Sequence, residues 1–495
     1  MSEQTIEDLR EKRREAERRF EADPHRPHYH FLPPENWMND PNGPIWFNDH
    51  YHLFYQYNPN EARWGDIHWG HAVSRDLLHW EDWPVALAPE TDGVDQGGCF
   101  TGCAFVQDDG TPTIAYTGIT PAPDQPRGRR ENQSLAISRD GMLSWEKVSQ
   151  NPVIAAPPGD LDVVGFRDPC VWQEGGVWYM LVGSGFEGKG EGGAALLYRS
   201  ENLIDWEYLH PLLDTGLTPP LEERGEMWEC PDFFPLGEHR MLLVSTLGRQ
   251  RYISGGWSRE EFLPRAEGWA DFSPAFYAGK TFEDAHGRRI LWGWLREARE
   301  LPAQLAAGWS GVMSLPRVLS MLPDGHLGCE PAEELQRLRA ENEARADVHL
   351  RPGEDLRLEM REACVEIETE VALRPGARFV LSVLSAPGGE ERTDVYFDSR
   401  NERVGIDTAA SSLDPATESR DSSGPLALRP DEPLRLRVFV DRSVVEVFAN
   451  GRACVTERVY PSRPDSVRIT AGVEGDSALV RRLNAWRMRS IWRSV

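Results

Sequence analysis

Ser74-Arg75-Asp76-Leu77-Leu78-His79-Trp80-Glu81 returns downstream as Ser138-Arg139-Asp140 with Trp145-Glu146, and again as Ser200-Glu201-Asn202-Leu203-Ile204-Asp205-Trp206-Glu207. Trp269 extends the beat, so Trp80, Trp145, Trp206 and Trp269 follow one another at 61 to 65 residues. Between them lie short β-branched or aromatic runs, such as Ile45-Trp46-Phe47, His52-Leu53-Phe54-Tyr55, Thr113-Ile114-Ala115-Tyr116, Val177-Trp178-Tyr179-Met180-Leu181-Val182 and Ile290-Leu291-Trp292-Gly293-Trp294, broken by Gly, Pro, Asn and Asp. Self-similarity at a fixed period in a strand-rich chain predicts a β-propeller, each period being one four-stranded blade. Residues 30–340 hold about five such periods. Each is longer than the usual blade repeat of about 40 to 50 residues, so long loops are expected. The alternative, a tag that marks only a common hairpin, is outweighed by three copies in register.

Past about residue 345 the tryptophan beat stops and strict alternation takes over, as in Leu434-Arg435-Leu436-Arg437-Val438-Phe439-Val440 and Ser443-Val444-Val445-Glu446-Val447-Phe448, closed by the hairpin turn Asn450-Gly451. Seven or more such strands predict a sandwich. The expected division is therefore a charged helix and entry segment over 1–29, a five-bladed propeller over 30–340 and a β-sandwich over 341–495, with the connector in 335–350. Helical periodicity is expected only from Thr5-Ile6-Glu7-Asp8-Leu9 to before Asp23-Pro24, and near Pro331 to Ala344. The fold class is all-β.

Composition narrows the function. Eighty acids against 54 bases give a net charge of −26 in 495 residues. A surface this anionic repels nucleic-acid backbones and acidic lipid, which excludes both as expected partners. Only four of the bases are Lys, a bias that codon usage or a salty habitat would equally explain. Forty per cent hydrophobic residues, 18 Trp among them, supply a large core and exclude disorder for most of the chain. Seven cysteines, an odd number without CxxC pairs, fit reduced thiols in a cytosol. Met1 to Arg19 is charged throughout, unlike a signal peptide, and no run reaches the 18 apolar residues of a spanning helix, so a cytoplasmic protein is expected.

Acids recur at one phase of the repeat. Asp40 lies in Trp37-Met38-Asn39-Asp40-Pro41-Asn42-Gly43, Asp168 in Phe166-Arg167-Asp168-Pro169, and Glu229 in Trp228-Glu229-Cys230-Pro231-Asp232, two periods and then one period apart. Equal phase in a propeller means equal position on the innermost strand, so the three acids converge at one mouth of the central channel. Cleavage of a glycosidic bond needs one carboxylate as nucleophile and another, with raised proton affinity, as acid. Clustered like charges raise the proton affinity of at least one member. Singly, each acid reads as a turn starter or a solvated charge.

These three motifs closely resemble the signatures of the glycoside hydrolase family 32 β-fructofuranosidases, the group of invertases, sucrose-6-phosphate hydrolases, inulinases and levanases. The likeness extends through Phe54-Tyr55-Gln56-Tyr57-Asn58-Pro59, His68-Trp69-Gly70-His71-Ala72, Gly308-Trp309-Ser310-Gly311-Val312-Met313-Ser314-Leu315-Pro316-Arg317 and Val440-Asp441-Arg442-Ser443-Val444-Val445-Glu446-Val447-Phe448, and covers the chain from about residue 24. The resemblance implies a five-bladed propeller with a C-terminal sandwich and a retaining mechanism that releases β-linked terminal fructose. It implies that Asp40 attacks the anomeric carbon, that Glu229 protonates the leaving oxygen and then activates water, and that Asp168 with Arg167 holds sugar hydroxyls without changing protonation. Cys230, beside the acid, would either tune its proton affinity or merely pack.

Further fructose contacts implied by the resemblance are Asn39, Gln56, Trp64, Phe100, Thr101 and Trp294. Thr101 and Trp294 keep the period and fall on the two blades that donate no acid. Amides and hydroxyls suit a neutral polyol, and a Trp face suits the apolar side of a furanose. One departure stands out: Ala275 precedes Phe276-Tyr277-Ala278 where many relatives carry Asp, which puts a contact at the pocket rim in doubt. The expected partner is a small sugar or oligosaccharide, with no cofactor and no metal, and a homo-oligomer remains open.

Other features carry weaker readings. His25, His28 and His30 suggest a metal site that this chemistry does not need. Gly183, Gly185, Gly188, Gly190, Gly192 and Gly193 lack the Lys-Ser/Thr of a phosphate cradle and read as a hairpin tip. Arg127, Arg129 and Arg130 read as a solvated loop, or as a contact to a sugar phosphate if the loop folds over the channel. The rival functions are a fructosyltransferase or difructose-anhydride hydrolase using the same acids, and a non-catalytic fructan-binding protein.

Overall fold

The computed structural model describes residues 3–125, 127–159, 161–186, 192–214 and 225–492. Apart from the helices Glu3–Arg19 and Leu301–Ala307 and a 3-10 turn at Glu333–Leu338, the regular elements are strands. Five antiparallel sheets follow one another in chain order. Their first strands are Asn36–Phe47, Cys99–Val106, Val163–Glu174, Glu229–Leu236 and Phe276–Glu283. Each first strand packs against the first strand of the next sheet, and the last packs back against the first, so the five close a ring. The ring is also closed out of chain order by strand pairing: Trp309–Ser310, from beyond the fifth sheet's second strand, pairs in parallel with Asn36 and Trp37. This is the architecture of a β-propeller.

The repeated tag is a turn between the third and fourth strands. Asp76 accepts the amides of Leu78 and His79, and Asn202 accepts those of Ile204 and Asp205. Leu77, Met142 and Leu203, at the same place in three tags, all take positive φ (64°, 72° and 67°) and are buried. Trp80 and Trp206 donate their indole N–H to the carbonyls of Leu77 and Leu203, closing the turn. Trp269 does not belong to this series. It ends the fourth strand Glu261–Trp269 of its sheet rather than opening it, and the equivalent turn there is Arg259-Glu260, where φ is 55° and 63°.

The second half stacks two six-stranded sheets. Alternate residues of their strands, including Leu434, Leu436, Val438, Ile367, Phe379 and Leu381, fill one apolar core. The expected helix over Pro331 to Ala344 is replaced by the 3-10 turn and the strand Arg339–Leu350, which pairs with Ala478–Met488. The expected connector is thus mostly sandwich strand: its charged residues have a sheet partner, and tertiary pairing overrides helix propensity.

The halves are joined by buried charge. Arg317 donates to Asp271 at 3.0 Å and to Glu446 at 2.7 Å, and His30 bridges Asp441 (2.8 Å) and Glu446 (3.1 Å), with every side chain in the set out of water. The long motifs around Arg317 and Asp441, one in each half, therefore build a seam. His30 is a seam residue and not a metal ligand, and His25 meets the Pro461 carbonyl. Among the described residues no group of three or more His, Cys, Asp or Glu has the geometry to hold a metal ion.

Candidate active site

Each first strand slips register against its second strand at the ring's opening. The slips fall between Met38 and Pro41, Phe100 and Gly102, Arg167 and Cys170, Glu229 and Asp232, and Tyr277 and Lys280. A β-bulge re-aims side chains, and these five re-aim Asp40, Thr101, Asp168 and the Glu229-Cys230 and Tyr277-Ala278 pairs. Asp168 and Cys230 hold φ of 66° and 49° directly before Pro169 and Pro231. Such strain costs about 1–3 kcal/mol per residue and persists only where the surroundings over-determine it. Here Thr117 Oγ1 accepts the Asp168 amide, Lys280 donates to the Pro231 carbonyl, and Thr281 donates twice to Asp232.

The glycines near 183–193 serve the same end. A Cβ on Gly185 would lie 1.9 Å from the Glu226 carbonyl, and one on Gly193 the same distance from the Trp228 ring. Glycine is required because the segment carrying Glu229 crosses that hairpin directly. Gly188 and Gly190 lie outside the described residues.

The three acids meet through short contacts. Thr101 Oγ1 donates to Asp40 Oδ2 at 2.6 Å, and Asn39 Nδ2 lies 3.0 Å from Asp40 Oδ1 and 2.9 Å from Gln56 Oε1. Gln56 in turn donates to Thr101. The Cys230 thiol reaches Asp40 Oδ2 at 3.5 Å and Asp168 Oδ2 at 3.6 Å, and its amide donates to Asp168 Oδ2 at 2.9 Å. The contacts of Cys230 thus go to Asp40 and Asp168. Arg167 donates through Nη2 to Glu229 Oε1 at 2.7 Å, and Tyr277 donates to Glu229 Oε2.

Aromatic rings wall the opening. Phe100, Trp37 and Trp294 share one apolar cluster. Trp64 leans edge-on over Phe100 at 5.7 Å and is 52% exposed. The Trp294 indole N–H is buried without a hydrogen-bond partner. Each catalytic and fructose-contact residue expected from sequence joins one of these two clusters, but Trp294 stands on the second strand of its sheet. The first-strand residue there is Tyr277, which sequence phase missed. Ala275 is 3% exposed, its amide on Ser273 Oγ and its carbonyl accepting from Arg296, so it is buried under the turn rather than set on an exposed rim.

Proton affinities differ from the sequence expectation. Burial pushes Asp40 up, against the hydrogen bonds from Thr101 and Asn39. Burial, with the charges of Glu229 and Asp40, pushes Asp168 up to about 7 despite Arg167. Burial also pushes Glu229 up, but Arg167 and Tyr277 outweigh it and hold Glu229 below the usual carboxylate range. Clustering does raise a member's proton affinity, but that member is foremost Asp168, because the donors converge on Glu229.

Carboxylates gathered at a propeller mouth with hydroxyl, amide and indole groups around them define a glycoside hydrolase. Residues 30–331 match the model of the glycosyl hydrolases family 32 N-terminal domain, and residues 334–487 match that of the family's C-terminal domain. The chain belongs to glycoside hydrolase family 32. It is 36% identical to a sucrose-6-phosphate hydrolase of Zymomonas mobilis, over 89% of this chain and 88% of that one. It is 34% identical to a beta-fructofuranosidase, insoluble isoenzyme 1, of Oryza sativa subsp. indica, over 93% and 90%. Among solved structures it resembles fructan 1-exohydrolase IIa from Cichorium intybus, with a TM-score of 0.85, 28% identity, and 94% and 98% of the two chains covered.

Proposed function

We propose that this enzyme is a retaining β-fructofuranosidase that releases terminal fructose from sucrose or short fructo-oligosaccharides. The observation that carries the reading is the convergence of Asp40, Asp168 and Glu229 from bulged first strands of three different sheets. Asp40, oriented by Thr101 and Asn39, attacks the anomeric carbon and forms the fructosyl ester. Glu229 gives its proton to the departing oxygen, then takes one from the water that cleaves the ester. Asp168 and Arg167 grip the sugar hydroxyls, through bonds that strengthen as positive charge develops on the ring. Asn39, Gln56, Trp64, Phe100, Thr101 and Trp294 complete the fructose pocket.

We read the five sheets as five blades, and the domain division as an entry segment over 1–29, a propeller over 30–340 and a sandwich over 341–495. A cytoplasmic location is supported by seven free cysteines and by likeness to bacterial sucrose-6-phosphate hydrolases. No described helix is long and apolar enough to cross a membrane.

A phosphorylated substrate is a second reading, favoured by one observation. Arg127, Arg129 and Arg130 line a cavity of about 460 Å³ together with Glu131 and Phe166, and Arg129 lies over the Phe100 ring at 5.0 Å. Fructose release from sucrose, sucrose 6-phosphate, inulin and levan, measured side by side, decides between the substrates. Analysis of products at high sucrose separates hydrolysis from transfer. Asp40→Ala and Glu229→Ala should each abolish release with the fold intact; full activity in either defeats the assignment of these residues.

A further inference from the structure

Glu131 lies on the third strand of the second sheet, one register pair from Thr120 and away from the acids in sequence. Its carboxylate is nonetheless part of their wiring. Arg129 donates to Glu131 Oε1 through Nη2 at 2.8 Å and Nε at 3.1 Å. The Phe166 amide donates to Oε2 at 2.7 Å. Arg167 Nη1 reaches both oxygens, at 3.2 and 3.4 Å, while the other edge of the same guanidinium holds Glu229. The result is an alternating ladder, Arg129, Glu131, Arg167, Glu229 and Tyr277, running from the loop at the rim to the acid. Glu131 is fixed in place by Arg129 and by a backbone amide, so it cannot follow Arg167. Arg167 is the one member shared between two carboxylates.

That sharing matters because an acid that must donate a proton is gripped by a cation. With Arg167 and Tyr277 both donating to it, the Glu229 carboxylate is favoured as the anion. The groups facing it are Asp40 from the first sheet, Glu131 from the second, Arg167 and Asp168 from the third, Cys230 on its own strand and Tyr277 from the fifth. Of the charged ones, only Glu131 can offer Arg167 an alternative hydrogen-bonded ion pair at a position already occupied.

We propose that Glu131 is a positioning residue for the catalytic acid: it competes with Glu229 for the Arg167 guanidinium, and its share of that cation sets how readily Glu229 carries the proton it donates. This rests on Glu229 being the acid. Two substitutions should act with opposite sign. Glu131→Gln removes the competitor's charge, so Arg167 falls to Glu229 and the alkaline limb of the kcat/KM profile moves to lower pH by about one unit. Arg129→Gln leaves Glu131 less neutralised, so it draws harder on Arg167 and the alkaline limb moves to higher pH by about half a unit. Glu131→Asp keeps the charge and returns the limb toward the wild-type position.

The test is the pH dependence of kcat/KM for fructose release by the wild type and these three variants. Shifts of opposite sign support the proposal. Limbs that do not move, a shift of the same sign in both Gln variants, or a loss of rate equal at every pH would overturn it. Should Glu131→Gln fail to fold, the direction given by Arg129→Gln, on the rim, still decides. A wild type that releases no fructose from any of the four sugars would instead sink the underlying assignment.

Discussion

Gly183→Ala should cripple the enzyme without touching an ionisable group. Gly183 pairs with Arg167 across the hairpin, and a Cβ there would lie 2.4 Å from the Trp228 carbonyl and 3.0 Å from that of Arg167. Ordinary contact begins near 3.4 Å, so the Trp228 carbonyl must retreat by about 1 Å, and it directly precedes Glu229. A misplacement of about 1 Å costs on the order of 100-fold in rate. Overpacking of this kind costs about 1–3 kcal/mol of stability. Steady-state kcat/KM for sucrose, beside urea unfolding, should show that disproportion: a folded protein, modestly destabilised, with activity down about 100-fold. A variant within twofold of wild type in kcat/KM would refute the claim that the close crossing of these strands positions the acid.

Tyr277→Phe removes a donor to Glu229. A hydrogen bond to a charged group is worth about 1.5–3 kcal/mol, so the alkaline limb of kcat/KM should rise by about one to two pH units; an unchanged limb counts against the contact. Arg317→Met leaves Asp271 buried without its cation and Glu446 with His30 alone and should cost about 3–5 kcal/mol in urea unfolding, whereas a loss under about 1 kcal/mol would mean that the seam is not held by charge. Burial lowers the proton affinity of His30, but Asp441 and Glu446 raise it further, above the ordinary value of 6.5. Its stabilisation is therefore complete below about pH 6.5 and fades as pH rises through the folded value. Thermal midpoints from pH 6 to 9 should fall, and His30→Gln should flatten that fall; identical slopes would exclude His30.

The acids were legible because a propeller converts phase along the chain into position around a ring, and Asp40, Asp168 and Glu229 all lie on first strands. Phase failed where loops differ in length. Counting from Glu229 by one period reached Trp294, on a second strand, and stepped over Tyr277 on the first. Trp269 was misplaced for the same reason. Glu131 carried no motif at all; its role depends on Arg129 and Arg167, and sequence marked Arg167 as a site residue but Arg129 only as part of a basic cluster. The run from Pro331 to Ala344 looks helical by composition, and its strand partner Ala478–Met488 lies too far along the chain for local pattern to disclose.

The seam also explains why motifs far from the carboxylates are so long. Arg317 and Glu446 contribute nothing to sugar chemistry, but they lock the fifth sheet against the sandwich, and that sheet presents Tyr277 and Trp294.

The most direct test is to quench the wild-type enzyme in acid during turnover of sucrose and map its peptides by mass. The mechanism requires one fructosyl unit esterified to Asp40. An adduct on Asp168 or Glu229, or no adduct under conditions of steady turnover in which ester cleavage limits the rate, would contradict it.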